Sequence, residues 1–319
     1  MDRPRAADGR QRRLLSDAAD PTVDAKLAGT LARCTFPPPA TRLTCAVSGG
    51  PDSLALLVLA RAAGCDVEAV HVDHGLRPGS ASESAVVEAA ARGLGARFRA
   101  ERVEVEPGPN LEARARAARY EVLPADVATG HTADDLAETV VLNLVRGAGL
   151  WGAASLLGPG GAGRRRPLLG LRRTDTEAVC AVVGLEPVRD PSNDDARFRR
   201  NRVRHEVLPL LDDVAARDTV PLLGRHATWC AEAAAFVDEH AAALDVTDAD
   251  ALAAAPRIVA AAAVRRWLGA ADAERHPPDA ATIDRVLAVA AGERRATEVG
   301  GGRRVARTAR RLRLEPPTP

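Results

Sequence analysis

The sequence predicts an α/β fold, a doubly wound parallel sheet with a second, smaller and mostly helical domain behind it, and three observations predict it. Short apolar runs alternate with amphipathic stretches over the first two-thirds of the chain, joined by crossovers long enough to hold a helix. A glycine-rich break, Ser48-Gly49-Gly50, follows one apolar run and opens into a helical pattern at Pro51-Asp52-Ser53. From about residue 220 the alternation gives way to alanine-rich segments of helical period, and a glycine-punctuated β-hairpin closes the chain. At 319 residues two domains are expected: a disordered tail over 1–20, the sheet domain over 21–214, and the helical domain with its terminal hairpin over 215–319.

Taken in order, residues 22–35 carry Val23, Leu27 and Leu31 at helical spacing. Leu43 to Val47 is an unbroken apolar run, as in a strand covered on both faces. The two glycines after it free the backbone for positive φ and close approach to a ligand, and Pro51 suits the first helical position. Free N–H groups at that helix start, with the helix dipole behind them, make a natural phosphate site; the Gly-Lys-Ser/Thr ending of a Walker loop does not follow. The bland alternative is an ordinary glycine turn. Next come a strand over Val67–Val72 ending at Asp73-His74-Gly75, a helix over 80–94, a strand over Arg97–Val105 and a helix over Leu111–Leu123. A short strand at Val127–Thr129 and a helix over Ala133–Arg146 follow. Ligands of such sheets sit beyond the carboxyl ends of the strands, so Ser48–Ser53, Asp73–Gly75 and Gly130–Asp135 are expected at one edge. After a loose insert at Gly158–Gly163, Pro167-Leu168-Leu169 is expected as one more strand and Thr174–Val183 as a helix. Pro187–Asn201 reads as polar loop, and helices are expected over 221–244, 256–269 and 279–291.

Composition narrows the class. With 46% hydrophobic and 27% charged residues the chain is that of a soluble globular protein, and no apolar stretch approaches a membrane span. Nothing at the N-terminus resembles a secretory signal. The five cysteines are scattered without a C-x-x-C pair, which argues against zinc, an iron–sulfur cluster or a redox pair and fits a reducing cytoplasm. Net charge is only +1, yet every basic residue but Lys26 is arginine, clustered at Arg164–Arg166, Arg197–Arg204 and Arg303–Arg313. A GC-rich coding bias and phosphate contacts both account for such clusters. Aromatics make up 3% of residues, too few for stacking several bases.

The string SGGPDS, placed after a buried strand and before a helix, resembles the pyrophosphate loop of N-type ATP pyrophosphatases, the PP-loop ATPases of adenine nucleotide alpha hydrolase-like fold. Four further strings join it in order: HVDHGLRPGS at 71–80, NLEARARAARY at 110–120, TGHTADDLAET at 129–139 and DPSNDDARFRRNRVRHEVLP at 190–209. Together they resemble the tRNA(Ile)-lysidine synthase family over about residues 41–210. The resemblance implies a cytoplasmic ligase that uses ATP and Mg²⁺ to join free L-lysine to C2 of the wobble cytidine in a tRNA(Ile) with a CAU anticodon. An adenylated cytidine would be the intermediate, and codon reading would change from AUG to AUA. It also implies a homodimer and no membrane partner.

Chemistry assigns the residues under that resemblance. Ser48, Gly49, Gly50, Pro51, Asp52, Ser53, Asp73, Gly130 and His131 would bind the nucleotide. Asp52 and Asp135 are candidate Mg²⁺ ligands, since Mg²⁺ favours one or two carboxylates plus phosphate oxygens; as Asp residues at helix starts they are equally good caps. Lysine needs its ammonium held and deprotonated, for which Asp134, Asp135 and Glu138 are candidates, Asp134 and Glu138 sharing a helix face; a solvated acidic first turn is the alternative. Arg114 is a candidate for substrate or phosphate, against a salt-bridged surface helix. Arg199, Arg200, Asn201, Arg202, Arg204 and His205 are candidates for RNA backbone contact.

Two other classes compete. Another enzyme on the same ATP scaffold, such as a tRNA thiolation enzyme, is disfavoured by the lack of C-x-x-C, and a glutamine-dependent synthetase by the lack of room for an amidotransferase domain. A non-catalytic RNA-binding protein is disfavoured by Asp52, Asp134, Asp135 and Glu138, which would repel phosphate.

Overall fold

Strand β1, Arg42–Ala46, has Leu43 and Cys45 buried, and helix α1, Pro51–Ala62, is buried continuously from Ser53 to Ala60. A helix apolar all round belongs inside a unit, and α1 is the centre of its core. The computed structural model describes residues 27–73, 80–104, 108, 111–157, 163–188, 195–272 and 278–316. The tail expected over 1–20, His74 and Gly75, the side chains of Glu112 and Arg116, and most of the Gly158–Gly163 insert lie outside them. Of the first expected helix, residues 27–35 are described; 27–31 are helical, and the helix ends in a turn at 32–33, short of residue 35.

β1 pairs in parallel with β2, Asp66–Asp73, setting Leu43 against Val67 and Cys45 against Ala69. β2 pairs in parallel with β3, Arg97–Arg102. The crossover helices are α2, Ser80–Gly93, and α3, Leu111–Glu121. On the other side of β1 the short expected strand is a single parallel bridge at Ala128, whose N–H donates to Thr44 O at 2.8 Å while Ala46 N–H donates to its carbonyl at 2.9 Å. Arg165 adds a fifth position, with Thr129 N–H donating to its carbonyl at 2.9 Å. The chain thus builds β1, β2 and β3 outward, then crosses back over β1. That reversal puts the ligand crevice of a doubly wound sheet at the carboxyl end of β1.

The strand expected at Pro167–Leu169 is a turn instead, and the strand pairing falls at Arg165. Pro167 has no N–H to give a ladder, and Leu168 and Leu171, three apart, are both fully buried, which a turn achieves and an alternating strand does not. Helix α4, Ala133–Val145, is followed by a single turn, Leu150–Ala153, and by α5, Arg173–Val182. The next helix, α6, is continuous from Arg199–Arg202 through a π-helical turn, Val203–Val207, to Leu208–Ala215. The long α7 spans Val220–Ala242.

Two compact units divide within α7, at Thr228 and Trp229, against a boundary expected at 214/215. The first unit extends that far because Ala227 is fully buried among Leu136, Val140 and Leu156. In the second, α8, Ala249–Ala254, α9, Arg257–Ala271, and α10, Ala280–Ala290, supply buried Leu252, Val264, Leu268 and Val286. The terminal hairpin forms from β4, Ala296–Gly300, and β5, Arg303–Thr308, and β6, Arg311–Glu315, extends it to three antiparallel strands. All five cysteines are free thiols; burial pushes that of Cys180 up to about 12, so it packs rather than reacts. Among the described residues no helix is long and apolar enough to cross a membrane.

Candidate active site

The loop after β1 is closed by its own serines. Ser53 Oγ donates to Gly50 O at 2.9 Å and accepts from Ser48 N–H at 3.1 Å, with Ser48 Oγ 3.2 Å away. Gly49 stands at φ +91°, where a side chain would be strained, and its carbonyl accepts from Val188 N–H at 2.9 Å. Gly50 is the N-cap and Pro51 the first helical residue, so the first turn of α1 faces the crevice with N–H groups that have no partner within the helix.

Gly130 brings the second segment in. A Cβ there would lie 2.6 Å from Asp52 O and 3.0 Å from Ser53 N, so only glycine lets the chain leave Ala128 against the start of α1. Gly130→Ala is therefore expected to raise KM for ATP at least tenfold and to cost roughly 1–3 kcal/mol of stability, as for other overpacked sites. Steady-state kinetics beside urea unfolding checks this, and wild-type values in both would mean the contact is loose.

Four carboxylates meet four arginines where these segments join. Asp52 accepts from Thr176 Oγ1 on one oxygen and pairs with Arg173 Nε at 3.4 Å on the other. Asp134 accepts from Arg172 Nη2 at 2.9 Å and Nε at 3.0 Å on one oxygen, and from Arg173 N–H at 2.7 Å on the other. Asp135 uses one oxygen to cap α4, accepting Thr132 N–H at 2.8 Å, and the other to bind Arg200 at 2.9 Å and Arg173 at 3.2 Å. Glu138, with no exposed surface, accepts from Arg200 Nε at 2.6 Å and Arg204 Nε at 2.7 Å, with Arg173 Nη1 at 3.5 Å. Among these eight side chains formal charges cancel, and Arg172 also pairs with Asp218.

Burial pushes the Asp52 carboxyl above its ordinary value, and Thr176 and Arg173 only partly offset that. At Asp135 burial pulls the same way, but Arg200 and Arg173 outweigh it and hold the carboxyl low. Burial also works against the charges of Arg173 and Arg200, and the surrounding carboxylates overcome it, so both guanidinium values lie higher than usual. The alternatives left by the sequence are thereby separated. Asp135 is a helix cap and a member of the cluster at once, whereas the Asp52 side chain faces α5 instead of capping α1.

The other expected residues distribute as follows. Asp73 ends β2, one strand over, opposite Arg102. His131 lies beside the cluster with Nδ1 2.8 Å from Thr129 Oγ1. Arg114 stands on α3, half-buried, its Nε and Nη2 buried without hydrogen-bond partners among the described residues, and a Cβ at Gly108 would come within 3.1 Å of it. The arginine-rich segment divides by helix face. Arg200 and Arg204 turn inward onto Glu138, and buried Asn201 donates to Asp195 O at 2.9 Å. Arg199, Arg202 and His205 are exposed, Arg202 pairing with Glu206 at 2.7 Å.

Sequence reasoning missed Arg172, Arg173 and Thr176. Their signal was there: two consecutive arginines begin α5, where the helix dipole disfavours cations, which marks them as held by something else.

Comparison with known proteins gives the family. A family model described as a PP-loop domain matches residues 21–211. The curated tRNA(Ile)-lysidine synthase of Nocardia farcinica is 44% identical over 249 residues, covering 73% of this chain and 77% of that protein. That of Rhodococcus erythropolis is 41% identical, covering 72% and 74%. Among solved structures the U34-tRNA thiolase NcsA of Methanococcus maripaludis superposes with a TM-score of 0.52 at 17% identity, over 68% of this chain and 80% of that one. That likeness concerns the fold.

Proposed function

The chain belongs to the tRNA(Ile)-lysidine synthase family of PP-loop ligases, and from that premise we propose that it modifies tRNA(Ile) by forming lysidine at the wobble cytidine of a CAU anticodon, with ATP and free L-lysine as co-substrates. The observation that carries the reading is the contact of Gly130 with the start of α1, which sets the phosphate loop against the carboxylates of α4. Activation of a base and its attack by an amine need those two groups together.

In this reading Ser48, Gly49, Gly50 and Ser53 cradle the pyrophosphate of ATP at the start of α1. Mg²⁺ fits the donor set: Asp52 and Asp135 both reach the one Arg173 guanidinium, so they already face a shared cation, and two carboxylates plus phosphate oxygens suit Mg²⁺. When bound there it neutralises charge on the phosphates. Cytidine O2 attacks the α-phosphate, pyrophosphate leaves, and the lysine amine then displaces AMP from C2. Asp134 and Asp135, the more exposed carboxylates of α4, receive the lysine ammonium, and Asp134 takes its proton. Glu138 is sealed, and its role is to position Arg200 and Arg204. Arg114, with two buried nitrogens that have no hydrogen-bond partner among the described residues, is the candidate anion contact of α3. The five free thiols suit a cytoplasmic setting.

Incubation with ATP, Mg²⁺ and radiolabelled lysine is expected to label unmodified tRNA(Ile) and leave initiator tRNA(Met) unlabelled. Absence of label in both, with ATP turned over in the presence of a sulfur donor, would replace this reading by thiolation.

A further inference from the structure

We propose that a cleft along α4 binds a backbone phosphate of the RNA substrate, outside the nucleotide and lysine sites. The cleft has a volume of about 310 Å³ and is lined by Asn143, Arg146, Ser155, Arg164, Arg166 and Arg200 among others. No described residue lining it is acidic. Of these arginines, Arg200 is already paired with Asp135 and Glu138.

Two of the lining arginines carry the inference. Arg146 caps the exposed end of α4, and Arg164 lies over the Tyr120 ring with its guanidinium carbon 4.0 Å from the centroid. Neither has a carboxylate within ion-pair distance among the described residues, and Arg164 Nε is buried with no hydrogen-bond partner. The C-terminal end of a helix accounts for one cation by its dipole. It does not account for a second in the same cleft, half-buried and stacked on Tyr120 with its Nε buried. Concentrated positive charge in a concave surface attracts an anion, and arginine forks fit phosphate oxygens.

Position selects the kind of phosphate. One end of the cleft touches the active site through Arg200 and His131. The other is at Arg146, roughly 16 Å along α4 from Asp135 at the helical rise of 1.5 Å per residue. A triphosphate held at the start of α1 does not extend that way, whereas a strand entering with its target base at the cluster does. The proposal therefore rests on the tRNA substrate proposed above. It also relocates part of the RNA contact, because Arg200 and Arg204 of the expected segment are already committed to Glu138.

The test measures tRNA affinity of the full-length protein by filter binding over a salt series, for Arg146→Ala and Arg164→Lys. Arg146 is exposed, so its removal leaves the fold intact, and lysine keeps a charge over Tyr120 while losing the fork. Expected are a roughly tenfold weaker Kd for Arg146→Ala, with the slope of log K against log salt reduced by about 0.7, and an unchanged KM for ATP. Arg164→Lys is expected to weaken binding severalfold at unchanged slope. Unaltered tRNA binding in both variants overturns the proposal, as does a shift confined to KM for ATP, which would make the cleft a nucleotide subsite. Binding is read without turnover. A wild-type protein that binds tRNA through this cleft but forms no lysidine would sink the ligase reading and leave the cleft standing.

Discussion

Glu138→Gln is expected to lower the midpoint of thermal unfolding of the first unit by roughly 6–12 °C and to abolish activity with it. The substitution keeps the shape and removes one charge from a side chain with no exposed surface. Arg200 and Arg204 then face a neutral amide in a place built for a carboxylate. Breaking a buried ion pair from one side costs about 3–5 kcal/mol, because the remaining charge stays desolvated. Arg200 and Arg204 keep 36% and 23% exposure, so the lower end applies, and about 3 kcal/mol corresponds to the stated range for a unit of this size. Differential scanning calorimetry reads it directly. Pairing Glu138→Gln with Arg204→Met should recover part of the loss, since the second change removes an uncompensated charge. A shift under about 2 °C in the single variant would mean that the arginines find water instead, and Glu138 would not be the anchor of α6.

Asp52→Asn is expected to do the opposite: turnover falls at least roughly a hundredfold while the unfolding midpoint holds. The sign follows from the direction of its pKa. Burial raises the folded value above the unfolded one, so at neutral pH the ionised carboxylate is a net cost to the fold, and a neutral amide removes that cost. Asn can still accept the Thr176 hydroxyl hydrogen bond. A charge kept against its own stability is there for a ligand, and pyrophosphate release with tRNA and lysine present is the assay. Equal losses of activity and stability would return Asp52 to a structural part. With both results as expected, Glu138 is the charge that builds the cluster and Asp52 the charge that works in the proposed reaction.

What the sequence made legible was local. Ser48 to Ser53 could be read because glycine, proline and a helix start explain one another within six positions. The acidic start of α4 was legible for the same reason, as Asp135 is a capping residue three positions after Thr132. Arg173 was not, because its carboxylate partners lie far off in the chain, at Asp52, Asp135 and Glu138. Arginine density makes Arg200 and Arg204 candidates for RNA but says nothing about direction, and here the helix period turns them inward while Arg199 and Arg202 face out. The third terminal strand was hidden by its turn. Ala309 and Arg310 take φ of +48° and +66°, a conformation normally announced by Asn-Gly.

The cations around the candidate site are all guanidinium groups, and the chain's only lysine, Lys26, lies outside the described residues. Burial opposes their charge, yet the carboxylates around Arg172, Arg173 and Arg200 hold all three above an already high value, so none sheds a proton at any physiological pH. A protonated guanidinium has no lone pair to offer an electrophile. In the proposed reaction an activated base formed beside these side chains would therefore be safe from them, leaving it to the amine of the incoming lysine. Chemoselectivity of this kind follows from choosing arginine where lysine would have supplied the same charge.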